Sequence, residues 1–264
     1  MFTLKDLDLD YKEVENRITS QLRSYVEKSG LKGGVVAVSG GVDSSVTLSL
    51  SVKALGPSRV TALTMPEKDV TPERDIRDVI SLCEGLGVTC NLVDITDVFH
   101  VMQGSIGLKG DRVALGNLKA RIRMVVSYFY ANTESKLVIG TSNKTELLTG
   151  FFTKFGDGAC DVAPLGDLYK YNVRQLGRHL GLPPKLVEKT PSPGFYKGQT
   201  DEGELGCSYD HIDLMLYSWE RGYTAGEIAE GLGLDPGLVR RILRRVEENE
   251  HKRRLPYIVK VSKR

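Results

Sequence analysis

The sequence predicts an α/β fold, a parallel sheet covered by helices on both faces and followed by a helical tail. Three observations carry this prediction. Short apolar runs rich in β-branched residues recur at 35–38, 60–63, 88–93 and 137–139. Helical patterns fill the intervals at 43–55, 71–86 and 115–130. Turn-forming residues stand where one pattern gives way to the other. Strands that alternate with helices join in parallel, because each crossover helix returns the chain to the same end of the sheet.

Each element has its own warrant. The first strand, Val35-Val36-Ala37-Val38, runs into Ser39-Gly40-Gly41-Val42-Asp43-Ser44-Ser45 and then into Val46-Thr47-Leu48-Ser49-Leu50. That is a buried strand, a glycine turn and a helix start. The second helix takes Thr71 as N-cap and Pro72 as its first residue, with Gly85 or Gly87 near its end. The third, 115–130, is amphipathic and basic. The ends of three strands, at Ser39–Ser45, Thr64-Met65-Pro66 and Gly140-Thr141-Ser142-Asn143, converge on one rim, which is where open parallel sheets bind ligands. From 150 to 206 glycine, proline and tyrosine dominate and periodicity is weak, which predicts a long functional loop region. From Tyr209 the pattern is helical again, with a capping box from Thr224 to Glu227 and a turn at Asp235-Pro236-Gly237.

Composition narrows the class. The 264 residues suffice for one large domain, and a net charge of +2 with 27% charged residues excludes an acidic or basic tail protein. No apolar run approaches the roughly 20 residues that span a bilayer. The N-terminus lacks the order of a signal peptide. The four cysteines form no C-x-x-C pair, which predicts reduced thiols, no zinc site and a cytoplasmic protein.

The glycine turn carries the chemistry. Two glycines let backbone approach a ligand, three hydroxyls project from the turn, and the helix N-terminus adds positive potential, so the turn should hold a phosphate or pyrophosphate. It is neither a Walker loop, having no lysine, nor a G-x-G-x-x-G fingerprint. Instead it holds an acid. Asp43 beside polyphosphate requires an intervening cation, for which Mg²⁺ is the natural choice. SGG-x-DS is the pattern of ATP pyrophosphatases, which cleave ATP between the α- and β-phosphates. The plainer alternative is an ordinary strand-to-helix turn of small residues.

Taken together, seven motifs resemble ammonia-dependent NAD⁺ synthetases: SGGVDSS at 39–45, GNLKARIRM at 116–124, GTSNKTE at 140–146, GFFTKFGDGACD at 150–161, PLGDLYK at 164–170, PSPGFYKGQTDEGELG at 191–206 and EHKRR at 250–254. The resemblance implies a Rossmann-like doubly wound sheet and a homodimer with sites near the subunit interface. It implies the reaction ATP + deamido-NAD⁺ + NH₃ → AMP + pyrophosphate + NAD⁺, through an adenylated nicotinate carboxylate. Larger members carry a glutaminase domain for which 1–264 has no spare length, so ammonia is expected free or from a separate glutaminase.

By the same resemblance, Ala37, Val38, Ser39, Gly40, Gly41, Val42, Asp43 and Ser44 bind ATP, together with Thr141, Lys170 and Ser192. Asp43 and Glu146 are the magnesium pair. Arg121, Lys154, Asp161, His251 and Lys252 contact deamido-NAD⁺. Asp43, Lys170 and Asp161 are the candidate catalytic residues, with Asp157 or Asp161 a candidate for taking a proton from ammonium. Plainer roles stand beside these. Glu146 suits the first turn of a helix begun by Asn143, Met65 suits either adenine or core packing, and Lys170, Arg121 and Arg123 suit a solvated surface. The run EHKRR suits a helix C-terminus complementing its dipole. Cys160 and Pro193 depart slightly from the family pattern and remove no charge or donor.

Two rival functions use other features. An adenylating enzyme acting on transfer RNA would call for cysteine pairs or an added RNA-binding domain, and the near-zero net charge gives little affinity for nucleic acid. Residues 224–254 resemble a helix-turn-helix DNA-binding unit, but Arg240, Arg241, Arg244 and Arg245 are interleaved with Glu247, Glu248 and Glu250. Neither nucleic acid nor membrane is therefore expected as a partner.

Overall fold

The computed structural model describes residues 2–68, 70–192, 194–196 and 198–261; Pro193 lies outside them. Four strands, β1 (Gly34–Ala37), β2 (Val60–Thr64), β3 (Cys90–Leu92) and β4 (Leu137–Ile139), form one parallel sheet in the order β3-β2-β1-β4. Register is set by Gly34 opposite both Val60 and Leu137, and by Ala62 opposite Cys90. The chain builds outward from β1 through β2 to β3, then crosses back to place β4 on the other side of β1. The carboxyl ends of β1 and β4 thus flank the switch point where open α/β sheets bind ligands.

The central strand is apolar on both sides because both sides are covered. Val36 and Val38 face α1 (Tyr11–Ser29), α2 (Val42–Leu55) and α3 (Glu73–Gly85), meeting Leu22, Leu48 and Val79. Val35 and Leu63 face α4 (Thr96–Ile106) and α5 (Arg112–Glu134), meeting Phe99 and Ile122. Val35, Val36, Leu48 and Leu63 are fully buried, and each such side chain contributes about 1.5–3 kcal/mol. After β4 come α6 (Lys144–Thr149), α7 (Lys170–His179) and two short helices, α8 (Pro184–Val187) and α9 (Asp201–Leu205). Helices α10 (Tyr209–Trp219), α11 (Ala225–Leu232) and α12 (Pro236–Glu248) close around a second core containing Tyr209, Ile212, Met215, Val239 and Ile242. Among the described residues no helix is long and apolar enough to cross a membrane.

Several expectations need correction. The segment 150–206 is not one loop region: α7 lies within it and packs Val173 and Leu176 against Val46 and Leu50 of α2. Helix α3 begins at Glu73 with Pro72 as its N-cap, not at Thr71. The Thr71 hydroxyl is taken by the backbone N–H of Glu67, so it shapes the β2–α3 loop instead of capping the helix. The basic helix extends four residues beyond 130 and starts three before 115. Helices α1 and α4 escape the apolar-run reading altogether. The Thr224–Glu227 capping box forms as expected, and Asp235 caps α12.

Candidate functional site

Strand β1 ends in a turn only glycine accepts. Gly40 has φ +78°, in the left-handed region. Gly41 then begins α2 with no side-chain cap. The hydroxyls beside it are pre-arranged: Ser39 N–H donates to Ser44 Oγ at 3.2 Å, and the Ser45 hydroxyl donates to the Gly41 carbonyl at 2.8 Å. Amides of the first α2 turn therefore face the switch point with the positive end of a fourteen-residue helix behind them.

Strand β4 supplies the opposing wall. Asn143 caps α6 in a reciprocal box with Glu146 and also donates from Nδ2 to Asp43 Oδ1 at 2.7 Å. Lys170, the first residue of α7, reaches back between the two loops. Its ammonium lies 2.5 Å from Asp43 Oδ2 and 3.0 Å from Glu146 Oε1, over the Tyr209 ring at 4.8 Å, and the residue is only 2% exposed. Burial alone would strip this lysine of its proton, but the carboxylates of Asp43 and Glu146 override it and hold the ammonium charged. Burial pushes the Glu146 carboxyl well above the usual carboxylate range; Lys170 pulls it back, and Asp43 repels it upward again. Glu146 is thus both the helix-capping acid and a member of the site.

A further carboxylate anchors Lys170 from behind. Asp213 of α10 is fully buried and accepts from Thr145 Oγ1 at 2.5 Å and from the Tyr171 amide at 2.8 Å; Thr145 Oγ1 in turn accepts from the Lys170 amide at 3.0 Å. Asp213 therefore caps α7 from another helix, because the N-cap residue Tyr169 has no side-chain bond to offer.

Around these residues lies a cavity of about 960 Å³. Residues 37–39 and 41–44 line it, with Thr141, Glu146, Lys170, Ser192 and Met65. Gly40 lies behind the wall and gives its carbonyl to Lys189 Nζ at 3.3 Å. The residues expected at deamido-NAD⁺ do not line this cavity. Four of them gather around residues 150–155. Arg121 donates to the Lys154 carbonyl, Lys154 Nζ donates to the His251 carbonyl, and Lys252 Nζ donates to the Gly150 and Phe152 carbonyls. Lys252 and Arg253 cover the C-terminal carbonyls of α6, so the dipole reading of EHKRR is realised on a neighbouring helix. Asp161 stands apart on the outer edge of β4, accepting from the Val138 amide at 2.7 Å and from Tyr128 at 3.4 Å. Asp157 lines the cavity and accepts from the Thr153 amide.

Sequence reasoning overlooked Lys189, which lines the cavity, pairs with Asp75 at 2.9 Å and steadies the glycine turn. Its nearness to Ser192 in sequence is the only signal that pointed to it. Arg123, which the sequence reads as a solvated charge, instead lines the same cavity and donates to the Met65 carbonyl at 3.1 Å.

A switch-point cavity with a glycine turn and a paired-acid wall does not by itself name a family, and the whole-chain comparison does. The profile of the NAD synthase family matches residues 14–256. The chain belongs to the NAD synthase family. It is 49% identical to the NH(3)-dependent NAD(+) synthetase of Hyperthermus butylicus, over 95% of this chain and 91% of that one. Among solved structures it resembles the NMN synthetase of Francisella tularensis (TM-score 0.85, 34% identity, 96% of this chain and 99% of that one). It also resembles the NH3-dependent NAD synthetase of Campylobacter jejuni, solved with a nitrate ion (TM-score 0.80, 29% identity, 96% and 100%).

Proposed function

We propose that this protein is an ammonia-dependent NAD⁺ synthetase, a ligase that adenylates the nicotinate carboxylate of deamido-NAD⁺ with ATP and amidates it with ammonia. The observation that carries the reading is Lys170 buried between Asp43 and Glu146 beneath a glycine turn at the β1/β4 switch point. A carboxylate is a poor acyl donor because oxide would have to leave. Transfer of AMP to its oxygen, with pyrophosphate expelled, gives a mixed anhydride from which ammonia displaces AMP.

The residues divide this work. The amides after Gly41 and the hydroxyls of Ser39 and Ser44 cradle the departing pyrophosphate, whose developing charge needs preorganised donors. Lys170 supplies a fixed positive charge at the same place. Thr141 and Ser192 hold ATP from the cavity walls. Asp43 and Glu146 fit a magnesium ion, since both already share one cation. Among the described residues no cluster of three or more acidic, histidine or cysteine side chains is poised for a metal, so the remaining ligands would be phosphate and water oxygens, as Mg²⁺ prefers. When bound, the ion would neutralise polyphosphate charge.

Arg121, Lys154, His251 and Lys252 form the deamido-NAD⁺ side of the site, with Asp161 beyond them. Their side chains stand outside the nucleotide cavity's lining, which suits a site completed by a second copy of the chain. The outer faces of α4 and α5 support such a homodimer, for they expose Val101, Val125 and Phe129 at 67%, 61% and 69%, more apolar surface than a solvated helix face usually leaves open. We further read the chain as one domain that uses free ammonia or ammonia from a separate glutaminase.

The test is direct. Protein, ATP, Mg²⁺, deamido-NAD⁺ and ammonium should yield NAD⁺, AMP and pyrophosphate in equal amounts, and chelation of the metal should stop all three. ADP and orthophosphate as products would sink the assignment. The likeness to an NMN synthetase makes nicotinate mononucleotide the competing acceptor, and a side-by-side kcat/KM comparison separates the two.

A further inference from the structure

Lys119 takes no part in the chemistry described so far, yet it is among the most enclosed charges in the molecule. Its side chain is 8% exposed and lies 2.8 Å from Glu67 Oε2, itself 7% exposed. The contact is a charge pair without the angle of a good hydrogen bond, which leaves the ammonium hydrogens available elsewhere. One is given to the backbone carbonyl of Phe195 at 2.9 Å, and the Phe99 ring lies under the charge at 4.7 Å.

Those partners come from the three walls of the nucleotide cavity. Glu67 follows Thr64-Met65-Pro66 at the carboxyl end of β2, Lys119 lies on α5, and Phe195 belongs to a strap whose described residues 189–192, 194–196 and 198–201 line the cavity. One helical turn before Lys119, Gly116 makes room for the Phe195 ring; a Cβ there would sit 2.3 Å from Phe195 Cδ2. The Phe195 amide is in turn held by Gln199 Oε1 at 3.0 Å. Ring and carbonyl of one strap residue are therefore both seated on α5, the ring on Gly116 and the carbonyl on Lys119.

We propose that Lys119 is a positioning residue that latches this strap over the cavity, so that the acyl-adenylate meets ammonia and not water. A buried ammonium with one carboxylate beside it still needs acceptors for its other hydrogens. The Phe195 carbonyl provides one only when the strap is down, which couples closure to the charge pair. An open strap would admit water to an anhydride that any nucleophile can cleave, releasing AMP without NAD⁺.

The inference rests on the proposed synthetase activity, and its experiment keeps the two apart. AMP and NAD⁺ are counted in the same reaction for the wild type, Lys119→Met, Lys119→Arg, Gly116→Ala and Phe195→Ala. Methionine keeps the stem and loses the donor; alanine at 116 displaces the ring and leaves the charge intact. The wild type should give about one AMP per NAD⁺, whereas Lys119→Met, Gly116→Ala and Phe195→Ala should give a clear excess of AMP over NAD⁺. Lys119→Arg, which keeps a donor, should lie between. Limited proteolysis with both nucleotides bound should cut the strap faster in the three uncoupled variants, and thermal melts identify any that fails to fold. Should Lys119→Met not fold, Gly116→Ala and Phe195→Ala decide the matter. A ratio that stays at one in the folded variants overturns the latch, even if they are slow. A wild type that makes no NAD⁺ overturns the synthetase reading instead.

Discussion

At the scale of single residues, the site is a balance of charges in a buried space. Lys170 neutralises two acids at once, and among the described residues neither acid has another ion-pair partner. Lys170→Met should lower kcat by about 100-fold or more, measured as NAD⁺ formed under saturating ATP, because a preorganised charge next to the leaving group is lost. Asp43→Ala should abolish turnover, and intact turnover would refute its role. Asp213 makes a different prediction. Burial raises its carboxyl to about 7 from the usual 3.8, against the pull of Thr145 and the Tyr171 amide. The folded state then holds a proton that the unfolded chain has lost, so this group's contribution to stability falls as pH rises between those two values. The slope is at most about 1.4 kcal/mol per pH unit. Asp213→Asn cannot ionise and should flatten it, so melting temperatures of wild type and variant should converge or cross between pH 4 and pH 7. Parallel curves would show that the carboxyl does not titrate there.

At the scale of elements, two capping boxes offer a matched comparison. Thr224 caps α11 far from the site, and Asn143 caps α6 while also donating to Asp43. Replacing either by alanine should cost about 1 kcal/mol in denaturant melts. Only Asn143→Ala should also depress kcat, since Asp43 loses its second partner. The same scale shows what the sequence can disclose. The glycine turn, the ends of β1, β2 and β4 and the α6 cap are legible because their signals are local: apolar run, small residues, capping pair. Helix α7 is not, because only ten residues long and flanked by glycine and proline, it is stabilised by Asp213 from another helix and by packing on α2. Helix α1 is hidden by its polar face, and α4 by apolar residues left exposed on its outer side. Lys189 and Lys119 are illegible for a related reason. Their partners, Gly40 and Phe195, lie 149 and 76 residues away along the chain, and a lysine in isolation looks like any solvated charge.

At the scale of the whole molecule, the sheet order concentrates function at one end. The loops after β1 and β4 leave the sheet side by side, and the cavity opens there. The residues proposed to hold deamido-NAD⁺ do not line that cavity, and Arg121 among them shares α5 with the exposed Val125 and Phe129. Sedimentation velocity should therefore give a dimer. Phe129→Glu should shift it toward monomer and raise KM for deamido-NAD⁺ more than KM for ATP; a monomeric wild type with unaltered kinetics would remove the shared-site reading.

The second core, around α10 to α12, has an effect that reaches beyond packing. His251 and Lys252 follow directly on α12, while the β-sheet keeps its own interior. Should the two cores melt separately, the C-terminal helices can loosen as one foldon while the sheet stays intact, as packing units of this kind often do. On warming, affinity for the dinucleotide acid would then fade before the global transition, leaving a folded but idle enzyme. Amide exchange slowing in 209–248 when that acid is added would reveal the same linkage from the other direction.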